Sequence, residues 1–101
     1  MIILTKHAKE RYKERICTGH YSDTLLQLVA EEVYEYGKLP IQFYDTNQKL
    51  YQYLIKIQSC HKTGKCFLKV LKDNIFIFIK EDVVKLITCY KLNEKNIYNI
   101  K

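Results

Sequence analysis

A histidine and two arginines recur at four-residue spacing near the start of the chain. His7, Arg11 and Arg15 would follow one another along one side of a helix, because four residues make slightly more than one helical turn. We call these three residues the basic ridge, and Lys6 adds a further positive charge beside it. An imidazole can transfer a proton near neutral pH, and a guanidinium can hold a phosphate by two parallel hydrogen bonds. The ridge could therefore bind and cleave a phosphodiester.

The alternative interpretation of the basic ridge is a solvated helix face with ion pairing, such as Arg11 with Glu14. Arg11 and Arg15 would repel each other weakly at this spacing unless an anion lies near them. They are the only arginines in a chain that is rich in Lys, Ile, Asn and Tyr. The arginine pair is therefore more informative than the lysines, whose excess fits a general compositional bias.

Two smaller groups of residues could also carry chemistry. Thr88 and Tyr90 lie two residues apart in a predicted strand, on one face with Leu86, so their hydroxyls would point to the same side. Core packing is the alternative for this pair. His61, Lys62 and Lys65 lie in a predicted loop and could contact a phosphate backbone. A solvated loop is the alternative there.

Composition narrows the possible partners and the compartment. The net charge of +6 favours polyanions, namely nucleic acid, the ribosome or an acidic protein. The longest apolar run, 75–79, is far shorter than the roughly 20 residues of a membrane helix. Charged residues follow the first four residues at once, so no secretory signal is predicted. We expect one cytoplasmic domain over 1–101 that does not enter a membrane.

The four cysteines include one loose cluster that resembles a metal site. Cys60, His61 and Cys66 lie close together in the sequence, but a structural zinc site needs four ligands, usually from two close pairs. No second pair is present. The sequence therefore predicts reduced thiols and no metal or other cofactor.

Two helices are predicted in the first third of the chain. Thr5 is a suitable N-cap for a helix that ends near residue 16, and Ser22 is one for a helix over 23–36. Gly37 is expected to end the second helix in a left-handed conformation. The apolar face of that helix is predicted to contain Leu25, Leu26, Leu28, Val29, Val33 and Tyr36.

The second half of the chain is predicted to form strands. The predicted strands are 50–58, 66–71, 75–79 and 83–91, with a tight turn at 73–74 and a short extended piece at 41–43. A helix over 50–58 is the alternative, because Leu50, Leu54 and Ile57 also fit helical spacing. The predicted fold is α+β, with two N-terminal helices packed on a four-stranded antiparallel β-meander. Residues 92–101 would form a tail that frays or docks.

Residues 4–15 contain the pattern His-Ala-x-x-Arg-x-x-x-Arg, and the last predicted strand contains Ile-Thr-Cys-Tyr at 87–90. These motifs resemble the first helix and last strand of a family of small phage- and plasmid-borne domains of unknown function. That family is similar in layout to the RelE, barnase, EndoU and colicin-type ribonuclease toxins. The chain departs from the family in a longer segment over 39–65, in an extended tail and in lacking an obvious second catalytic histidine.

The resemblance implies a toxin-type ribonuclease that cleaves RNA without a metal, by attack of the 2′-hydroxyl on the adjacent phosphate. His7 would act as general acid or base, and Arg11 and Arg15 would hold the phosphate. Thr88 or Tyr90 would orient them. The expected partners are RNA or the ribosome, and a protein antitoxin. The alternative is a non-catalytic basic interaction protein of a mobile element that binds nucleic acid or an acidic host protein, including as a homodimer.

Overall fold

The computed structural model describes residues 1–59 and 65–93, so most of the predicted tail lies outside the described residues. Within that part of the chain, no helix is both long and apolar enough to cross a bilayer. The elements in chain order are β1 (Ile3–Leu4), α1 (Lys6–Arg15), α2 (Asp23–Tyr36), a 3₁₀ helix (Pro40–Phe43), α3 (Gln48–Ser59), β2 (Cys66–Leu71), β3 (Asn74–Lys80) and β4 (Val84–Lys91). The predicted α+β class is confirmed.

The four strands form one mixed sheet in the order β1-β4-β3-β2. Strands β2, β3 and β4 make the predicted antiparallel meander, with β3 in the interior. The fourth strand is β1, which pairs with β4 in parallel, Ile3 lying opposite Lys85. The prediction of a wholly antiparallel sheet is therefore wrong.

Residues 50–58 belong to helix α3, so the predicted first strand and the two-helix count are wrong. The Asn47 side chain accepts a hydrogen bond from the Leu50 amide at 3.1 Å and caps the start of this helix. Leu50 and Leu54 are buried, and Ile57 packs against the same cluster. These three residues are spaced four and three positions apart, so a helix brings them all to the core. The burial they gain outweighs the preference of the alternating aromatic and β-branched residues for a strand.

The two predicted N-caps are confirmed. The hydroxyl of Thr5 accepts a hydrogen bond from the Ala8 amide at 3.2 Å, and that of Ser22 accepts one from the Leu25 amide at 3.0 Å. Helix α1 buries Ala8 and Tyr12 against the sheet. The start of each N-terminal helix therefore follows from the sequence, since a side-chain acceptor satisfies amides that the helix itself cannot.

The buried face of α2 is narrower than predicted. It contains Leu26, Ala30 and Val33, which follow helical spacing and pack on the sheet. Three residues of the predicted face are exposed instead, namely Leu25, Leu28 and Tyr36. The sheet covers only the side of α2 that rests on it, so the rest of the broad apolar face of this helix stays exposed.

Gly37 ends α2, but not in the left-handed conformation predicted for it. Its φ is −67° and its ψ is 155°. A Cβ at this position would collide with the Val33 carbonyl and lie 3.0 Å from the Cβ of Lys69. Glycine is therefore needed here because a side chain would collide with the last turn of α2 and press against strand β2, and not because of its φ angle.

Helices cover both faces of the sheet. Phe76 and Phe78 of β3 face α1 and α2, whereas Ile75 and Ile77 face α3. This placement explains why β3 is apolar at every one of these positions. The side chains of β4 are divided between the same two layers.

A bulge in β4 changes which side chains share a face. Thr88 pairs with Ile77, but Phe78 pairs with Leu86, so Ile87 is an extra residue in the strand. Leu86 consequently packs on the α1–α2 side. The expected common face of Leu86 with Thr88 and Tyr90 is wrong, although Thr88 and Tyr90 do share one.

Two local predictions are displaced. The segment 41–43 belongs to the 3₁₀ helix and is not extended. The turn between β2 and β3 consists of Lys72 and Asp73, one residue earlier than predicted, and Asn74 already pairs in β3. Lys72 has a φ of 56°, which places it in the left-handed region.

Candidate functional site

Helix α1 lies along an edge of β4 that is only partly paired. Strand β1 reaches no further than Leu86, and beyond that residue the outer edge of β4 has no strand partner in the described chain. The Thr5 hydroxyl donates to the Leu86 carbonyl at 2.8 Å. Arg15, at the other end of α1, donates from Nη1 to the Cys89 carbonyl at 3.0 Å. Polar side chains of Thr5 and Arg15 thus bind carbonyl groups of β4 at and beyond the point where β1 ends.

The guanidinium of Arg15 is held at a second point by Tyr90. Its central carbon lies 4.5 Å from the centroid of the Tyr90 ring, which is the geometry of a cation–π contact. Tyr90 packs with the α3-side cluster, so Arg15 extends from the α1 side around the sheet edge. No carboxylate among the described residues pairs with Arg15. Most of its five N–H donors remain for a ligand.

Five residues at this edge form a cleft of about 380 Å³. We call it the rim cleft, and it is lined by Arg15, Tyr53, Tyr90, Lys91 and Asn93. Its size falls at the lower end of ligand pockets, which suits a base or a sugar phosphate better than a large molecule. The lining contains two cations that can bind an anion, together with two aromatic rings and one amide.

The basic ridge is divided between two environments. Arg11 donates from Nη1 to Glu14 at 2.8 Å and is neutralised within the helix. His7 is exposed in the first turn of α1 and does not line the rim cleft. Arg15 lies eight positions further along the helix, about 12 Å along the axis. Of the three ridge residues, the structure places Arg15 alone in the cleft.

Thr88 lies beneath α3 and outside the cleft lining. It is 1% exposed, and its partner Ile77 belongs to the α3-side core. The Thr88 hydroxyl has no hydrogen-bond partner within the described ranges. Thr88 and Tyr90 therefore share a face as predicted, but Tyr90 alone reaches the cleft.

The other predicted binding residues lie elsewhere. Lys6 is exposed at the start of α1, at the end of the helix that carries His7. Lys65 is exposed at the end of the sheet away from the rim cleft. Its carbonyl accepts a hydrogen bond from the Lys80 amide at 3.2 Å. His61 and Lys62 lie outside the described residues.

The thiol nearest the cleft does not supply a nucleophile. Burial raises the pKa of Cys89 to about 12, and the nearby Arg15 guanidinium offsets this only in part. The thiolate is the reactive form of cysteine, so Cys89 stays protonated and inert at neutral pH. Across 1–59 and 65–93, no three His, Cys, Asp or Glu side chains are grouped so that they could hold a metal. Cys60 and His61, on which the zinc interpretation depended, lie outside those ranges.

Three cleft residues were missed in the sequence. Tyr53 belongs to the segment predicted as a strand. The signal that places it beside the α3 core is the helical spacing of Leu50 and Leu54, which is the alternative pattern for that segment. Lys91 and Asn93 follow Tyr90 closely, and that proximity was the one indication of their role.

The chain was compared with protein-family models, curated proteins and solved structures, and no match was found in any of the three. The site must therefore be interpreted from its own geometry.

Proposed function

We propose that the protein binds RNA through the rim cleft, with a backbone phosphate held by Arg15 and Lys91. The observation that carries this proposal is the setting of Arg15. Its guanidinium is fixed by the Cys89 carbonyl and the Tyr90 ring, and no carboxylate of the described chain neutralises it. A guanidinium held in this way is prepared to bind a phosphate without first breaking an ion pair.

The aromatic residues favour RNA over an acidic protein partner. Tyr53 and Tyr90 line the cleft beside the two cations. Tyr90 holds the Arg15 guanidinium, and the face of any nucleic-acid base can stack on a ring such as that of Tyr53. An acidic protein surface would need the cations but not the rings. The net charge of +6 adds long-range attraction for a polyanion.

The test compares two variants that lose the same charge from the same helix. Binding of a fluorescently labelled RNA oligonucleotide is measured by anisotropy at several salt concentrations for Arg15→Gln and Arg11→Gln. Arg15→Gln should weaken binding by about tenfold or more, because it removes a charged hydrogen-bond donor. It should also reduce the salt slope, which is the slope of the logarithm of the binding constant against the logarithm of the salt concentration. The expected reduction is about 0.7, the value for one lost phosphate contact to a single strand. Arg11→Gln should stay within about twofold of the wild type, because Glu14 already neutralises Arg11.

Equal losses in the two variants would show that binding follows overall charge and not the rim cleft. Absence of binding by the wild-type protein at low salt would reject the proposal outright. A DNA oligonucleotide of the same sequence in the same assay separates RNA preference from general nucleic-acid binding.

Metal-independent RNA cleavage is the second candidate function. It is favoured by one observation, that Arg15 and Tyr90, both candidate site residues from the sequence, meet in one cleft. In this reaction the 2′-oxygen attacks the adjacent phosphorus and the bond to the 5′-oxygen breaks. A base takes the proton of the 2′-hydroxyl and an acid gives one to the 5′-oxygen. Arg15 would stabilise the charged transition state, and the cleft phenols could carry protons.

Cleavage is tested on RNA in EDTA, with and without ribosomes. Wild type is compared with His7→Ala, Arg15→Gln and Tyr90→Phe. Loss of a general acid or base should slow cleavage by roughly 10²–10⁴. Equal rates for His7→Ala and wild type would remove His7 from the mechanism. No cleavage by the wild type under either condition would leave RNA binding without catalysis.

A further inference from the structure

Lys72 occupies a backbone conformation that disfavours its residue type. With a φ of 56° it lies in the left-handed region, where glycine and, less often, asparagine or aspartate are favoured. It is exposed and forms half of the two-residue turn between β2 and β3. A strained residue of this kind suggests that its side chain has a use that a better turn residue could not provide.

The turn is tied directly to the rim cleft. The Leu92 amide donates to the Asp73 carbonyl at 2.6 Å, and Asn74 pairs with Lys91. Lys72 therefore lies at the same end of the sheet as the cleft. No ion pair in the described part of the chain involves Lys72, and the exposed carboxylate of Asp73 is the acidic group beside it in the sequence. Lys72 thus places an exposed cation at the end of the sheet that holds the cleft.

The cleft lining also restricts the form of the nucleic acid. In a duplex each base is covered on both faces by its neighbours, so it cannot stack on a protein ring. The Tyr90 ring is already in contact with the Arg15 guanidinium. This leaves Tyr53, which reaches the cleft from α3, as the ring best placed to receive an unpaired base.

On the basis of the proposed RNA-binding function, we propose that the ligand is single-stranded. One unpaired base stacks on Tyr53 while Lys72 holds a neighbouring phosphate. The strand then runs from the rim cleft across the β2–β3 turn.

The role of Lys72 predicts that stability and affinity change in opposite directions. Lys72→Gly should raise the melting temperature, because glycine accepts the left-handed conformation without strain. The same variant should bind a single-stranded oligonucleotide about three- to tenfold more weakly and lose about 0.7 from the salt slope. Lys80→Ala is the matched control, since Lys80 is exposed at the opposite end of the sheet, and it should leave affinity unchanged within about twofold. Unchanged affinity in Lys72→Gly would remove Lys72 from the binding surface.

The role of Tyr53 is tested with two substitutions and two forms of RNA. Tyr53→Leu keeps apolar packing but removes the ring, and it should weaken single-strand binding by about tenfold. Tyr53→Phe keeps the ring and should bind like the wild type. A duplex of the same sequence should bind the wild type at least about tenfold more weakly than the single strand does.

The outcomes separate this inference from the proposed function. Duplex binding as tight as single-strand binding, with Arg15→Gln still defective, would overturn the single-strand inference alone. Failure of both forms to bind would reject the proposed function as well.

Discussion

Arg11 and Arg15 lie one helical turn apart on α1 and have opposite surroundings. Arg11 forms an ion pair with Glu14 of its own helix. Arg15 binds a backbone carbonyl and an aromatic ring of strand β4. Helical spacing already distinguishes them, because Glu14 lies three residues after Arg11 whereas Arg15 has no acidic residue three or four positions away. The tertiary contacts with Cys89 and Tyr90 then hold Arg15 at the sheet edge.

The position of Arg15 depends on the length of β1. At the start of α1, the amide and hydroxyl of Thr5 both bind the Leu86 carbonyl, so the sheet edge there is already satisfied. At the end of α1 the edge of β4 has no strand partner in the described part of the chain, and Arg15 binds the Cys89 carbonyl there. A two-residue strand thus determines which half of the basic ridge becomes part of a cleft.

The largest expected effect concerns α3, which brings Tyr53 to the Arg15 end. Leu54 is fully buried, and Leu54→Ala should lower the free energy of unfolding by about 2–5 kcal/mol in urea denaturation. The neighbouring Ile55 is 38% exposed, and Ile55→Ala should cost about 0.5 kcal/mol. A larger loss for Ile55→Ala than for Leu54→Ala would contradict the packed helix and restore the strand interpretation, which places Ile55 on the buried face.

The support that Tyr90 gives to Arg15 should have the next largest effect. Tyr90→Ala removes a cation–π contact of about 0.5–2 kcal/mol and should weaken RNA binding several-fold, as Arg15 loses its fixed position. Tyr90→Phe keeps the ring face and should retain affinity. If Tyr90→Phe were as defective as Tyr90→Ala, the phenol hydroxyl and not the ring would be the functional group.

Thr88→Val should stabilise the protein. The buried hydroxyl has no hydrogen-bond partner in the described residues, and valine has nearly the same shape. Removing such a group should raise the free energy of unfolding by about 1 kcal/mol, measured by urea denaturation. RNA affinity should not change. Loss of RNA binding or cleavage in a stabilised variant would support the site role that the sequence suggested for Thr88.

The ion pair of Arg11 with Glu14 can be broken to make the two ridge arginines more alike. Glu14→Gln should change the free energy of unfolding by only about 0.3–0.5 kcal/mol, as expected for an exposed helix pair. RNA affinity should rise slightly because Arg11 is released. Arg11→Gln should then reduce affinity more in the Glu14→Gln background than in the wild type. An identical effect in both backgrounds would show that Glu14 does not restrain Arg11.

The smallest expected effect is at Asp23, whose ion pair with Lys9 joins α1 to α2. The Tyr21 hydroxyl, and then the Lys9 ammonium, hold the pKa of Asp23 below its usual value. A lowered pKa adds stability above the ordinary carboxyl pKa of about 3.9, and this stability is lost as the pH falls through the folded value. Asp23→Asn should therefore lower the urea midpoint slightly near neutral pH and match the wild type in strong acid. RNA affinity should be unaffected, because this pair lies away from the rim cleft.

The parts of the fold that depend on local chemistry could be predicted from the sequence. Thr5 and Ser22 cap their helices as expected, and the apolar run of β3 lies in the sheet interior. The strand prediction for 50–58 failed because tyrosines and isoleucines alternate there while Leu50 and Leu54 also fit a helix. Burial against the sheet decided between the two patterns, and burial cannot be known before the layers are placed.

The candidate site was only partly predictable for a related reason. The chemistry of Arg15 and Tyr90 was apparent from residue type and position. Their meeting depends on the open edge of β4, which arises from long-range pairing of β1. The place of Tyr53 in the site follows only from helix α3, which the alternating pattern of its segment does not indicate.

The most direct test of the account follows both arginines in one sample. Arg11 and Arg15 are the two arginines of the chain, so ¹⁵N-labelled protein gives two side-chain Nε–H resonances, which Arg11→Lys and Arg15→Lys variants assign. A single-stranded RNA oligonucleotide is then titrated into the sample. We expect a saturable shift of the Arg15 resonance and little change at Arg11. An equal shift of both resonances, or a shift of Arg11 alone, would contradict it.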